Sequence, residues 1–308
     1  GAAAFAYYPS SSARGGDIYY GDDTVGGTGT DFVNGQYGWF TALHEIGHAL
    51  GLSHPFDGGS SDSSTLDLKF DSQRNTVMTY VQTDRNVKIA YSGGTASYSR
   101  VHTSTPGLLD IEAMEHLYGS SGWNDAATNG NDTVFGAAGD GGMNDFGNNY
   151  EYIRVITDSG GTGDTLDASA VTATGSIINL TPGTYSSINY YATQADKIAA
   201  VTGGNAAATA WFEAQLTNLD ATASASNSYY SAYTREALYR GQDNVGIAHN
   251  TWIENAKGGA GNDTITGNSR ANVITGNAGN DTIDGGTGDD IAVFSQAKSA
   301  YTISGSGT

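Results

Sequence analysis

Residues 44–54 read His44-Glu45-Ile46-Gly47-His48-Ala49-Leu50-Gly51-Leu52-Ser53-His54. His44 and His48 stand four apart, so on a helix their imidazoles share one face. Two neutral imidazoles so placed can grip a divalent zinc ion at ~2.0–2.1 Å. Glu45 lies one residue round the helix from His44. It can lean over the metal without binding it, where a general base for a metal-bound water should sit. Gly51 lets the chain leave the helix sharply, because glycine tolerates positive φ. The turn then returns His54 as a third ligand. Three protein ligands leave one position open for water, the arrangement of a catalytic rather than a structural zinc. The bland alternative, a surface helix with scattered histidines, must place three of only six histidines at these spacings by accident. The helix itself is expected over about residues 38–50.

A second stretch agrees with the first. Asn75-Thr76-Val77-Met78-Thr79-Tyr80 resembles the Met-turn of the metzincins, in which a methionine packs beneath the metal. Taken alone, Met78 reads as an ordinary core residue. After the long zinc motif, it reads as structural support for the site. Leu52, Ser53 and Pro55 also resemble the serralysin branch of that family, as does the run from Leu108 through Asp110, Glu112 and His116 to Gly119. Leu108, Ile111, Met114 or Glu115, and Tyr118 recur at helical spacing in that run. In the astacin and serralysin branches a tyrosine two residues beyond the methionine reaches the zinc. The resemblance therefore implies Tyr80 as an oxyanion donor and a candidate additional ligand. It also implies peptide-bond hydrolysis, with Glu45 passing the proton of water to the leaving amine. Phe5-Ala6-Tyr7-Tyr8-Pro9 resembles the family's edge strand and Asp17-Ile18-Tyr19-Tyr20 the next strand. Ala4, Phe5, Ala6 and Tyr7 are then expected to pair with substrate backbone.

From residue 258 the chain falls into nines: 258–266, 267–275, 276–284 and 285–293. Each approximates the repeats-in-toxin nonapeptide, in which six residues turn and an apolar residue points inward from a short strand. Here the apolar residues are Ile265, Ile274, Ile283 and Ala292. Alternate turns stack on either side of a flattened parallel β-roll. Calcium fits between stacked turns, taking hard oxygen ligands from glycine carbonyls and aspartates. The expected calcium residues are Gly259, Gly261, Asp263, Gly276, Gly279 and Asp281 for one pair of turns. Asn272, Gly286, Gly288 and Asp290 serve the other. Asp263 and Asp281 should share one ion, while Asn272 leaves Asp290 opposite a neutral amide and a weaker site. Residues 130–136 look like a degenerate first repeat. The acidic turn at 158–165 resembles the serralysin C-terminal domain, which adds Asp158 and Asp164 as calcium candidates.

The 308-residue chain suffices for two domains. It has no cysteine, 44 glycines and a formal net charge of −19, with only 13 basic residues. Such a surface does not suit nucleic acid. No cysteine nucleophile is available. No apolar run approaches the ~18 residues of a membrane span, so no membrane insertion is expected. The acidic turns would repel one another until calcium binds, which couples folding to the calcium-rich exterior. Serralysin relatives leave bacteria by one-step secretion, and a chain free of cysteine suits that route. No signal peptide opens the chain, and the family's C-terminal export signal is not evident.

The expected fold class is α+β. A metzincin catalytic domain at 1–122, lacking the family's N-terminal strands, precedes a calcium-binding β-roll domain at 123–308. The resemblance covers residues 3–165 and 245–293. Residues 190–244 match nothing in it and read as an insertion, with helical patches at 206–219 and 229–239. Trp211, Phe212 and Leu216 there suggest a helix packed on the roll. His102, His116 and His249 read as hydrogen-bonded structure, the last in an apparent strand at 247–253. Expected partners are protein or peptide substrates, with a proteinaceous inhibitor as a candidate, and a monomer is expected. The rival class is a non-catalytic calcium-roll adhesion or surface-layer module. An intact Glu45, Tyr80 and ligand set argues against it.

Overall fold

Phe40, His44, Gly47 and His48 recur at helical spacing and bury one face of α1, Tyr37–Ala49. Gly51 ends the helix at φ +101°. There the Leu52 N–H returns to the Gly47 carbonyl (2.9 Å) and the Gly51 N–H to that of His48 (2.9 Å), a Schellman closure. In the computed structural model, the residues described are 4–21, 32–57, 65–83, 85–119, 132–136, 146–147, 150–158, 160–222, 236–295 and 302. Against α1 lies a two-stranded antiparallel sheet of β1, Ala4–Ala6, and β2, Ile18–Tyr20, with Phe5 opposite Tyr19. The pair expected at 5–9 and 17–20 is therefore present but shorter. A hairpin follows, β3 (Val87–Ser92) with β4 (Thr95–Arg100). Gly93 and Gly94, both at positive φ, supply the turn a two-residue hairpin needs. Helix α2, Leu108–Tyr118, buries Leu108, Asp110, Ile111 and Met114.

The rest of the chain builds two facing sheets. Its elements are β5 (Val134–Phe135), β6 (Arg154–Ile156), β7 (Thr165–Asp167), β8 (Gly175–Asn179), β9 (Tyr185–Tyr190), α3 (Gln194–Thr202) and α4 (Ala206–Thr222). Then come β10 (Val245–Ile247), β11 (Asn255–Lys257), β12 (Thr264–Asn268), β13 (Val273–Thr275), β14 (Thr282–Gly286) and β15 (Ile291–Val293). One sheet orders β14-β12-β8-β9-β10-β6, the other β15-β13-β11-β7-β5. Within the repeats, pairing is parallel at a spacing of two nonapeptides, Ile265 beside Ile283 and Ile274 beside Ala292. Ile265 and Ile274 sink into a core shared with Phe135, Phe146, Leu166, Ile178 and Ile188.

Four expectations need correction. Ala292 is exposed rather than inward, because β15 is the edge strand of its sheet among the described residues. The sheets are not wholly parallel, since β9 runs antiparallel to both β8 and β10. Residues 247–253 are not a strand beyond Ile247; they turn, with Thr251 N–H bonded to the Ala248 carbonyl.

The fourth concerns residues 190–244. Helix α3 is capped reciprocally by Thr193 and Asp196. Asn205 caps α4 by accepting from the Ala208 N–H (3.0 Å). Of the expected stripe Trp211 is exposed; Phe212 and Leu216 are buried, but they pack on Ile89, Ile198 and Leu238, next to Tyr91 and Ala96 of the hairpin rather than on the repeats. The described part of the expected second helical patch, 236–239, is extended. Its carbonyls at Glu236 and Ala237 accept from Arg85 and Val87, and the Tyr239 N–H donates to the Val87 carbonyl. Those backbone groups are committed to another strand and cannot close a helix. Residues 223–235 lie outside the described residues. The two halves of the chain also meet through Leu108, Ile111, Val155 and Ala248.

Candidate metal centre

Three imidazoles converge. Helix α1 projects His44 and His48 from one face, their ring centroids 4.7 Å apart, and the turn after Gly51 brings His54 to 4.5 Å from His48. The Nε2 atoms lie 3.1 Å (His48 to His54) and 3.3 Å (His54 to His44) apart. Each ring is held from behind through Nδ1. His44 donates to the Val77 carbonyl (2.7 Å), His48 to the Leu52 carbonyl (2.8 Å) and His54 to Asp57 Oδ2 (2.6 Å). A carbonyl oxygen only accepts, so a neutral His44 or His48 carries its proton on Nδ1 and its lone pair on Nε2. Burial pushes the His44 imidazolium down to about 4 and lowers that of His48 as well, keeping both neutral. Tetrahedral ligands at ~2.0–2.1 Å stand about 3.3 Å from one another, which matches the two spacings. The donor set therefore fits a zinc ion. Among the described residues no other group of His, Asp and Glu side chains converges this tightly, so His102, His116 and His249 take no part.

Glu45 is buried beside His44, and its Oε2 has no hydrogen-bond partner. Burial raises its carboxyl above the ordinary range. It borders a cavity of about 440 Å³ whose walls include Ala4, Tyr37, Phe40, Gln73 and Tyr80. The Tyr80 hydroxyl donates to His54 Nε2 (3.0 Å), which sets the phenol at the open side of the imidazole cluster. Burial, then the nearby Glu45 and Asp57 carboxylates, raise that phenol above its usual range.

Met78 is buried directly below α1, where a Cβ on Gly47 would collide with its sulfur. The turn that carries it is held by Asp110. That carboxylate accepts from Thr76 Oγ1 (2.6 Å), the Val77 N–H (2.7 Å) and the Gly107 N–H (2.8 Å). Val77 in turn orients His44. Asp110 and Asp57 were not anticipated from the sequence. The available signals were slight: an acid in the first turn of α2, and an acid three residues after the last ligand.

Of the expected substrate strand, β1 pairs only with β2 among the described residues, leaving its other edge open. Tyr8, just beyond it, sets its ring edge against His48 at 5.4 Å.

The calcium candidates fall into stacked turns. The Asp263 N–H donates to Asp281 Oδ1 (3.0 Å), and the Asn272 N–H donates to Asp290 Oδ1 (2.9 Å). Gly259 donates to Asp263 Oδ2 (2.7 Å), and a side chain on Gly261 would meet the backbone of Thr174 and Gly175. Gly276 would press on Asp281, while Gly279, Gly286 and Gly288 hold positive φ against neighbouring turns. Asp158 and Asp164 are buried near Glu254 and Asp132, neither of which was anticipated. Burial, reinforced by those acids, pushes the Asp164 carboxyl up to about 6, and its Oδ2 has no partner.

The family described as the RTX calcium-binding nonapeptide repeat matches residues 126–141 and 257–292. The chain is 31% identical to Serralysin of Proteus mirabilis over 88% of its own length and 44% of that protein. It is 32% identical to Metallopeptidase AprA of Pseudomonas marginalis, covering 89% of this chain and 46% of the relative. Serralysin of Photorhabdus luminescens is 30% identical, covering 89% and 45%. The chain thus spans about half the length of the curated relatives it matches. With its three convergent imidazoles and its repeats, the chain is a relative of the serralysin-type metalloproteases and carries RTX calcium-binding repeats.

Proposed function

We propose that the chain is the zinc-binding and calcium-binding part of a secreted endopeptidase of the metzincin class. Its catalytic domain would occupy 1–122 and its β-roll 123–308. The observation that carries this reading is the imidazole cluster, with every Nδ1 anchored, beside a buried carboxylate with a free oxygen. His44, His48 and His54 would hold the metal. A zinc ion there supplies Lewis-acid activation of water and of the scissile carbonyl. Glu45 takes the proton of the attacking water and delivers it to the leaving amine; its raised affinity for protons suits that exchange. The Tyr80 hydroxyl donates to the oxyanion of the tetrahedral intermediate. The open edge of β1 pairs with the substrate backbone and carries it past the cavity beside Glu45.

The roll takes calcium between stacked turns, at Asp263 with Asp281 and more weakly at Asn272 with Asp290. Asp158 and Asp164 form a further candidate site. Relatives named as serralysins and the RTX repeats support export, and no helix is long and apolar enough to cross a membrane. The test is Glu45→Gln. It should retain zinc and abolish cleavage of casein. An apoprotein, or an active variant, would overturn the assignment.

A further inference from the structure

Phe56 is a large apolar side chain left 43% exposed, two residues after a ligand. Its placement is specific. The turn after His54 is closed by the Asp57 N–H on the His54 carbonyl (3.1 Å), and the Pro55 carbonyl accepts from Leu66 N–H (3.1 Å). Consecutive residues thereby grip one imidazole, Asp57 at Nδ1 and Phe56 across its face. The Phe56 ring stacks on His54 at 4.9 Å with planes 7° apart. Its second ring contact is Tyr80, at 5.2 Å. Among the described residues Phe56 makes no other ring contact.

Tyr80 needs such a support. Its backbone is fixed, with Thr79 buried and bonded to Asp71 and Val81 tied to Gln73. Its side chain is 62% exposed. The phenol ring touches three others, His54 at 4.8 Å, Phe56 at 5.2 Å and His44 at 5.6 Å. Two of these belong to the metal centre itself, and one hydrogen bond ties the hydroxyl down. A tyrosine in that position has open rotamers into water, and a neighbouring ring that excludes them reduces the freedom lost when the hydroxyl is aimed.

We infer that Phe56 is a positioning residue for Tyr80, a side wall that holds the phenol at the imidazole cluster. This rests on the peptidase reading above for its effect on rate, and on geometry alone for its effect on Tyr80. Phe56 supplies no ligand and no acceptor to a ligand. Its removal leaves the Val77, Leu52 and Asp57 anchors intact, so metal binding should persist.

The test is a double-mutant cycle with a quenched-fluorescence peptide drawn from a casein cleavage site. Phe56→Ala should lower kcat roughly tenfold, a part of the loss expected for deleting an oxyanion donor, with KM changed less than about twofold. Zinc content should not change. Phe56→Tyr, which keeps the ring, should restore the rate. In the Tyr80→Phe background, Phe56→Ala should cost less than about twofold, because the two residues act through one hydroxyl. Equal cost in both backgrounds, or a loss confined to KM or to zinc content, would overturn the proposal. Nuclear Overhauser contacts read the geometry independently of activity. A contact from the Tyr80 ring to His54 should be present in the parent and weakened in Phe56→Ala. Its persistence there defeats the role of Phe56 even if no cleavage is ever seen. Absence of chelator-sensitive cleavage with the contact behaving as expected defeats the peptidase reading instead.

Discussion

Asp110 offers the sharpest perturbation outside the metal ligands. It is 2% exposed and accepts three hydrogen bonds, two of them from backbone N–H groups that have no alternative acceptor in view. Asp110→Ala strands the Val77 and Gly107 amides. At ~1–3 kcal/mol per orphaned buried donor, the two together cost about 2–6 kcal/mol. Asp110→Asn is different. Its amide oxygen can take the place of Oδ2 and accept both N–H groups. Its NH₂ can donate to Thr76 Oγ1, whose own proton can rotate away.

Charge sets the pH dependence. Burial is the largest cause moving the carboxyl, pushing it from 3.8 up to about 6 against three hydrogen bonds that pull it down. A folded-state value above the unfolded one means that the group's contribution is whole below the unfolded value and is lost as pH rises through about 6. The displacement from 3.8 to about 6 is worth about 3 kcal/mol. Urea unfolding of parent, Asp110→Asn and Asp110→Ala, near pH 4 and near pH 7 in millimolar calcium, reads both effects. The stability of the Asn variant relative to the parent should improve by about 2 kcal/mol between those pH values, short of the full ~3 kcal/mol because the unfolded carboxyl is already more than half ionised at pH 4, while the Ala variant stays destabilised throughout. An Asn variant as unstable as Ala at neutral pH, or a parent-to-Asn difference that ignores pH, would refute the reasoning.

Three further outcomes follow from the same geometry. Asp57→Ala removes the acceptor at His54 Nδ1 and should weaken zinc binding about 10–100-fold in chelator competition, while Asp57→Glu recovers part of it. Withdrawing calcium with EGTA leaves the stacked carboxylates at Asp263 and Asp281 uncompensated, so the β signal in circular dichroism should fall and return on adding calcium; an unchanged spectrum would count against the calcium role. Phe212→Ala should cost about 3–5 kcal/mol in urea unfolding, because the ring is fully buried between α4 and the hairpin; an effect below ~1 kcal/mol would mean that the helix is not docked there.

The helix that carries His44 and His48 was legible because its pattern is local. Spacings of four and six residues put His44, His48 and His54 together with only a helix and one glycine turn between them. Met78 was legible through its neighbours in a turn, and the repeats through a period whose register appears directly in the pairing of Ile265 with Ile283. What was missed is long-range. Asp110 reaches Val77 across 33 positions, and nothing near it in the chain marks it as the clamp. Residues 236–239 have helix-forming neighbours, yet their carbonyls meet Arg85 and Val87, a partner that local propensity does not register. The stripe of Phe212 and Leu216 identified a buried face but was assigned to the roll, because helical spacing marks which side is apolar and not that the hairpin at Ile89 receives it. Ala292 was placed inward by the repeat and left outside by its position on a strand that forms the sheet edge among the described residues.

The central claim is that the imidazole cluster holds a catalytic zinc. Its most direct test is cleavage of casein by the purified chain in millimolar calcium, with and without o-phenanthroline, alongside elemental analysis. Cleavage that the chelator abolishes, with about one zinc per chain, is the predicted result. A calcium-loaded, folded chain that binds no zinc would contradict the claim and leave a calcium-binding module in its place.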